Sequence, residues 1–153
     1  MKHALIGAVL AAMTLPAMTL PALAVPLVET PELEALRTQI ENGKAADAAE
    51  TLSGQLAVEP RNADILNLLG YAHRKMGNKK TSRNYYARAL AIDPRHKGAL
   101  EYMGELELET GNVKAARVLL ARLQAICPKG CSELDDLIEA FQSRGIATKA
   151  GGS

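Results

Sequence analysis

The side chains with the most distinctive chemistry are Cys127 and Cys131, the only cysteines of the chain, in the stretch AICPKGCSELDDL at 125–137. A pair of thiols can hold a metal, run thiol–disulfide exchange, or form a permanent cross-link. Zinc needs four ligands, and beyond the first residues only His73 and His96 could add ring nitrogens. Covalent haem attachment uses C-x-x-C-H, but here three residues separate the cysteines and Ser132 follows. Thioredoxin-like exchange wants C-x-x-C where a strand meets a helix. No nucleophile elbow, phosphate-binding glycine loop or zinc helix motif is present, so neither catalysis nor a cofactor is expected. Met76 and Met103 are too few for a methionine-rich copper surface.

Which thiol chemistry applies depends on the compartment. Met1, Lys2 and His3 form a short basic start, Ala4 to Leu15 is an apolar run, and Ala22, Leu23 and Ala24 have the small residues of a cleavage site. This is the pattern of a secretory signal over 1–24, with Val25 first in the mature chain. A membrane anchor is the rival reading, but the run before Pro16 is far shorter than the roughly 20 residues that span a bilayer. The expectation is export, to the periplasm or beyond, with no membrane span after cleavage. Removing residues 1–24 from the 153 leaves 129 and takes away Lys2 but no acid, so 18 basic residues become 17 against 17 acidic ones. A neutral chain lacks the basic excess of a nucleic-acid binder.

The elements that position these residues follow from an internal period. Pro60, Pro94 and Pro128 lie 34 residues apart, and so do Gly43, Gly77 and Gly111. Val58, Ile92 and Ile126 precede the prolines by two residues, Leu52, Tyr86 and Leu120 by eight, and Ala48, Ser82 and Ala116 by twelve. The glycine can take the left-handed conformation that closes one helix, and the proline ends a second. Three helix pairs are expected, over 29–62, 63–96 and 97–130. Small residues at Ala48, Ser82, Ala116, Gly70 and Gly104 let paired helices approach, and stacked neighbours supply the core that one pair lacks.

The pattern resembles the tetratricopeptide repeat, whose signature includes Leu-Gly at positions 7 and 8, Ala at 20, an aromatic at 24, Ala at 27 and Pro at 32. The middle repeat carries Leu69, Gly70, Tyr86, Ala89 and Pro94, with Ser82 replacing the alanine; the third keeps Met103, Gly104, Ala116 and Pro128. The first departs most, with Glu32, Leu36 and Gln55 where an aromatic, glycine and alanine are typical. The resemblance implies an all-α solenoid of three such repeats.

Ser132 with Asp135 reads as a capping box opening a further helix over 131–145. Leu134, Leu137, Ile138 and Phe141 share its inner face, while Glu133, Asp136 and Glu139 are expected on the solvent side. Residues 146–153 are expected to form a flexible tail. Cys127 and Cys131 then flank the turn before this cap. An exported chain with an even cysteine count favours a disulfide staple, with thiol-redox or metal-handling accessory chemistry as the alternative. His73 is expected partly buried and His96 exposed.

The resemblance also implies a concave groove lined by the first helix of each pair. Its positions map onto Asp64, Asn67, Tyr71, Arg74 and Lys75 in the middle repeat, and onto Gly98, Glu101, Glu105, Leu108 and Glu109 in the third. The first repeat supplies Leu33, Arg37, Ile40 and Glu41. The set expected to touch a partner is Arg37, Asn67, Tyr71, Arg74, Lys75, Glu101, Glu105 and Glu109. Glu101, Glu105 and Glu109 form a like-charge series that costs an isolated helix a few tenths of a kcal/mol, approximately, per pair, which points to a basic segment in the partner. Some relatives hold a partner's terminal carboxylate with lysine, asparagine and arginine. The matching sites here are Leu33, Arg37, Leu68, Gly98 and Tyr102, so that clamp is missing. The expected role is an interaction scaffold for a protein or peptide.

Overall fold

The structure, a computed structural model, describes residues 30–148. The expected signal at 1–24 and the last five residues of the tail lie outside that range. Among the described residues seven helices run in order: α1 (Pro31–Glu41), α2 (Ala45–Val58), α3 (Ala63–Lys75), α4 (Lys79–Ile92), α5 (Lys97–Glu109), α6 (Val113–Ile126) and α7 (Ser132–Gln142). There are no strands among the described residues. None of these helices is long and apolar enough to cross a membrane.

The punctuation residues set the helix ends. Gly43, Gly77 and Gly111 take φ of 83°, 80° and 79° just after α1, α3 and α5. That conformation lets the next amide turn back onto the helix, as Asn78 N–H does to the His73 carbonyl at 2.8 Å. The second helix of each pair stops at Val58, Ile92 or Ile126, two residues before its proline, because the residue preceding proline is pushed out of helical geometry.

Helices pack in chain order, and α1, α3, α5 and α7 also touch in sequence. They form one layer, in which α7 takes the place of the next repeat's first helix. The period reappears in the core: Ala48, Ser82 and Ala116 are fully buried, as are Leu52 and Tyr86, and Leu120 is 1% exposed. A Cβ on Gly70 would lie 2.5 Å from the Tyr86 ring, so the glycine is what admits the tyrosine between α3 and α4. Gly104 does the same for Leu137, joining α5 to α7. Fully burying side chains of this size stabilises by about 1.5–3 kcal/mol each.

The degenerate first repeat closes as a regular helix pair. Two of its three atypical residues bond to each other, Gln55 Nε2 donating to Glu32 Oε1 at 2.5 Å. Leu33 and Ile40, expected in the groove, are instead 6% and 0% exposed in the core shared with Ile65, Leu68 and Leu69. Leu108 is likewise buried. A helix of 11 residues with a polar outer face has few apolar side chains, and the core takes them.

Three expectations near the turns are corrected. His96 is not exposed: its side chain is 10% exposed and caps α5, Nδ1 accepting from Ala99 N–H at 3.1 Å. That bond leaves the ring proton on Nε2, 3.0 Å from Asp64 Oδ1 in the previous repeat. Cys131, not Ser132, is the N-cap of α7, with no side-chain cap bond. Ile146 packs against the core beside Phe141 rather than starting a free tail, its amide bonding the Phe141 carbonyl at 3.0 Å. Cys127 and Cys131 are joined by a disulfide with Cα atoms 5.9 Å apart. His73 is half-buried and stacks on Tyr85 with ring centroids 5.3 Å apart.

Candidate functional site

The first-helix layer frames a cavity of about 620 Å³. It is lined from α3 by Tyr71, Arg74 and Lys75, and from α5 by Glu101, Tyr102, Glu105 and Glu109. The cap side contributes Asp136, Glu139, Ala140, Ser143 and Arg144. The two repeats bring their groove positions together because equivalent residues on adjacent first helices lie side by side.

The floor is aromatic. Tyr71 and Tyr102 stack with centroids 4.7 Å apart and planes 14° from parallel. Lys75 Nζ lies 5.6 Å from the Tyr71 ring centre and the Arg37 guanidinium 5.7 Å from that of Tyr102. Arg37 Nη1 also donates to the Tyr102 hydroxyl. Arg37 thus ties α1 to α5 across the groove. Burial raises the Tyr102 and Tyr71 hydroxyls above the usual phenol range, so both stay protonated.

The like-charge series is not the free stripe expected. Arg74 Nε and Nη2 donate to Glu109 Oε1 at 2.9 and 2.6 Å, while Nη1 donates to Glu105. Lys79 Nζ stands 3.8 Å from Glu109. Burial works against the Arg74 charge, yet Glu109 and Glu105 outweigh it and hold the guanidinium protonated beyond its ordinary range. The spacing contains part of this pairing: Glu105 and Glu109, four residues apart, share one face of α5 and can both reach a single cation on the adjacent first helix.

Glu101 is the exception. It is 7% exposed and has neither a hydrogen-bond nor an ion-pair partner among the described residues. Burial, then the charges of Glu105, Asp136 and Glu133, push its carboxyl up to about 8; Arg37 pulls weakly the other way.

Of the other expected groove residues, Asn67 is 2% exposed and does not line the cavity; its Oδ1 has no hydrogen-bond partner among the described residues. Asp136 and Glu139 were expected to face solvent only, but they also close the cavity's cap side. Tyr102, Ala140, Ser143 and Arg144 were missed. Tyr102 occupies a position of the absent carboxylate clamp, and the cap residues become legible once α7 is seen as an extra first helix. Among the described residues, no cluster of three His, Cys, Asp or Glu could hold a metal.

A sequence model of the tetratricopeptide repeat matches residues 63–96. No curated protein sequence matches the chain. Among solved structures, the first TPR of Spaghetti (RPAP3) bound to the HSP90 peptide SRMEEVD is 14% identical, with TM-score 0.61, covering 73% of this chain and 89% of that one. The type III secretion chaperone SycD of Yersinia enterocolitica, in complex with a peptide of the translocator YopD, is 16% identical with TM-score 0.61, covering 74% and 91%. MamA is 20% identical, also at TM-score 0.61, covering 74% and 67%. At such identities the likeness is one of fold. Residues 63–96 are therefore similar in sequence to the tetratricopeptide repeat, and the described chain folds as an all-α solenoid of such repeats closed by a capping helix.

Proposed function

We propose that this chain is an exported, periplasmic interaction scaffold that holds a basic segment of a protein or peptide in its concave groove. The observation that carries the reading is the composition of the cavity wall. Among the described residues five acidic side chains line it against three cations; with Glu101 protonated at neutral pH, four carboxylates remain, two of them sharing Arg74, and Asp136 and Glu139 carry the open negative charge. A guest bringing positive charge would find complementary potential, and Tyr71 and Tyr102 offer it apolar surface. Peptide complexes of RPAP3 and SycD support the use of such a fold to hold a peptide. The HSP90 peptide SRMEEVD is rich in acids, opposite in character to the guest proposed here. Export rests on the leader-like pattern of 1–24 and agrees with a disulfide between Cys127 and Cys131.

The test is affinity capture from the native compartment with the mature chain, beside a variant carrying Asp136→Lys and Glu139→Lys. Both positions are exposed, so the variant should melt like the wild type while losing the captured partner. An unchanged partner set would place binding elsewhere. Terminal sequencing of the exported protein should begin at Val25.

A further inference from the structure

Among the described residues Glu101 is the one cavity-lining acid whose side chain is nine-tenths buried and has no protein partner, its carboxyl oxygens opening only onto the cavity. On the same helix Glu107, 3% exposed, is bound by Arg83, Asn112 and Thr110, and Glu105 and Glu109 share Arg74. A buried carboxyl without a donor is costly unless it stays protonated or gains a counter-charge from outside. The nearest cation on α1, Arg37, is engaged with the Tyr102 hydroxyl and with Glu34, 3.4 Å from its Nε.

We propose that Glu101 is the anchor of a subsite for a single arginine side chain of the partner, whose guanidinium supplies the missing counter-charge while its stem lies against the edges of the Tyr71 and Tyr102 rings that line the cavity. This deepens the proposed function and rests on it. Arginine is chosen over lysine because a guanidinium is more weakly hydrated and its planar fork can engage both oxygens of one carboxylate. The outer faces of the tyrosine pair are already covered by Lys75 and Arg37, so the open recognition group is the carboxyl rather than a ring face.

Binding must then be coupled to a proton. Burial above all, then Glu105 on its own helix and Asp136 and Glu133 on α7, hold Glu101 protonated to about pH 8, with Arg37 on α1 opposing them. Tyr71 on α3 shares the cavity, Tyr86 on α4 faces the neighbouring Tyr102 ring, and α6 meets α5 through the apolar cluster of Ala116, Leu120 and Leu123. When the guanidinium enters, Glu101 releases its proton to solvent and becomes the carboxylate of the new pair.

The experiment titrates the full mature chain with the peptide Ac-Ala-Ala-Arg-Ala-Ala-NH2, and with its citrulline counterpart, which has the same shape without the charge. Binding is read by NMR at the Tyr71 and Tyr102 rings and at the Glu101 carboxyl. The arginine peptide should shift all three signals and citrulline should not. Affinity should rise about tenfold per pH unit below the Glu101 midpoint and level off above it. Glu101→Gln should abolish that pH dependence and weaken binding at high pH at least tenfold. Equal binding by citrulline, or by the Gln variant, overturns the subsite. So does the absence of any shift at tens of millimolar peptide, whereas the groove reading fails separately, if the captured partner ignores the Asp136 and Glu139 substitutions.

Discussion

Glu101 and Glu107 lie on the same helix, 7% and 3% exposed, and their carboxyls are shifted in opposite directions. Burial pushes both up. At Glu107 the hydrogen bond from Arg83 at 2.5 Å and that from Asn112 at 2.7 Å, with the Arg83 charge, overcome it and leave the carboxyl below its ordinary range. Glu101 has no such donors and rises to about 8.

The two acids therefore give opposite pH dependences of stability. Glu101 is protonated when folded and ionises near the ordinary carboxylate value when unfolded, so its stabilisation is full at low pH, declines as pH rises toward 8 and is flat beyond. The Glu107 contribution is present above the ordinary carboxylate range and is lost as pH falls through its lowered folded value. Urea melts across pH should show Glu101→Gln removing the decline on the neutral side and Glu107→Gln removing part of the acid-side loss. A Gln variant at 101 that keeps the wild-type neutral slope contradicts this assignment.

Gly70→Leu should cost about 1–3 kcal/mol, because the buried Tyr86 ring has no free volume into which to move. In Gly98→Ala the new Cβ meets Asn67 Nδ2 at 3.1 Å and the His96 ring at 3.6 and 3.8 Å, so the substitution requires a shift of a few tenths of an ångström from one side chain rather than displacement of a ring. It also gains up to about 1 kcal/mol of helix propensity, so its melting point should be unchanged or higher. Equal losses in the two variants would mean that α3 and α4 do not cross at Gly70.

Arg74→Ala leaves Glu105 and Glu109 facing each other without their shared cation, and should destabilise by about 1–3 kcal/mol. Glu109→Gln alone should cost less. A double-mutant cycle between Arg74 and Glu109 should return a coupling of at least about 0.5 kcal/mol; additivity would show that the pair is idle in solution.

Replacing both cysteines by serine should lower stability by about 2 kcal/mol, the chain-entropy value for so short a loop. The loss should appear as faster amide exchange in α7, since Cys127 and Cys131 tie its N-terminus to the end of α6. Because α7 closes the cavity, partner capture should weaken as well. Exchange confined to other helices would separate the disulfide from the cap.

His96→Ala removes both the α5 cap and the link to Asp64, and should cost about 1 kcal/mol or more. His96→Asn restores an N-cap but is too short to reach across to the preceding repeat. It should recover only part of the loss, and full recovery would reduce His96 to a local cap.

Much of the architecture was legible because it repeats. Glycine and proline act on the backbone locally, so Gly43, Gly77 and Gly111 with Pro60, Pro94 and Pro128 mark six helix ends with no knowledge of tertiary contacts. Small residues facing large ones, Gly70 against Tyr86 above all, identify the helix crossing in the same way. The site was less legible because its chemistry lies between repeats. The sequence presents Glu101, Glu105 and Glu109 as one acidic series, and only the apposition of α3 and α5 neutralises two of them with Arg74 and leaves the first buried alone. Glu32 and Gln55 read separately as lapses from the repeat pattern until the folded pair joins them. Asp136 and Glu139 are solvent-exposed, as their spacing predicts, and the docking of α7 beside α5 also makes them a wall of the cavity. Local backbone preference is carried by single residues, whereas the ionisation and exposure of a side chain depend on what a distant segment brings against it, and that is decided only when the helices stack.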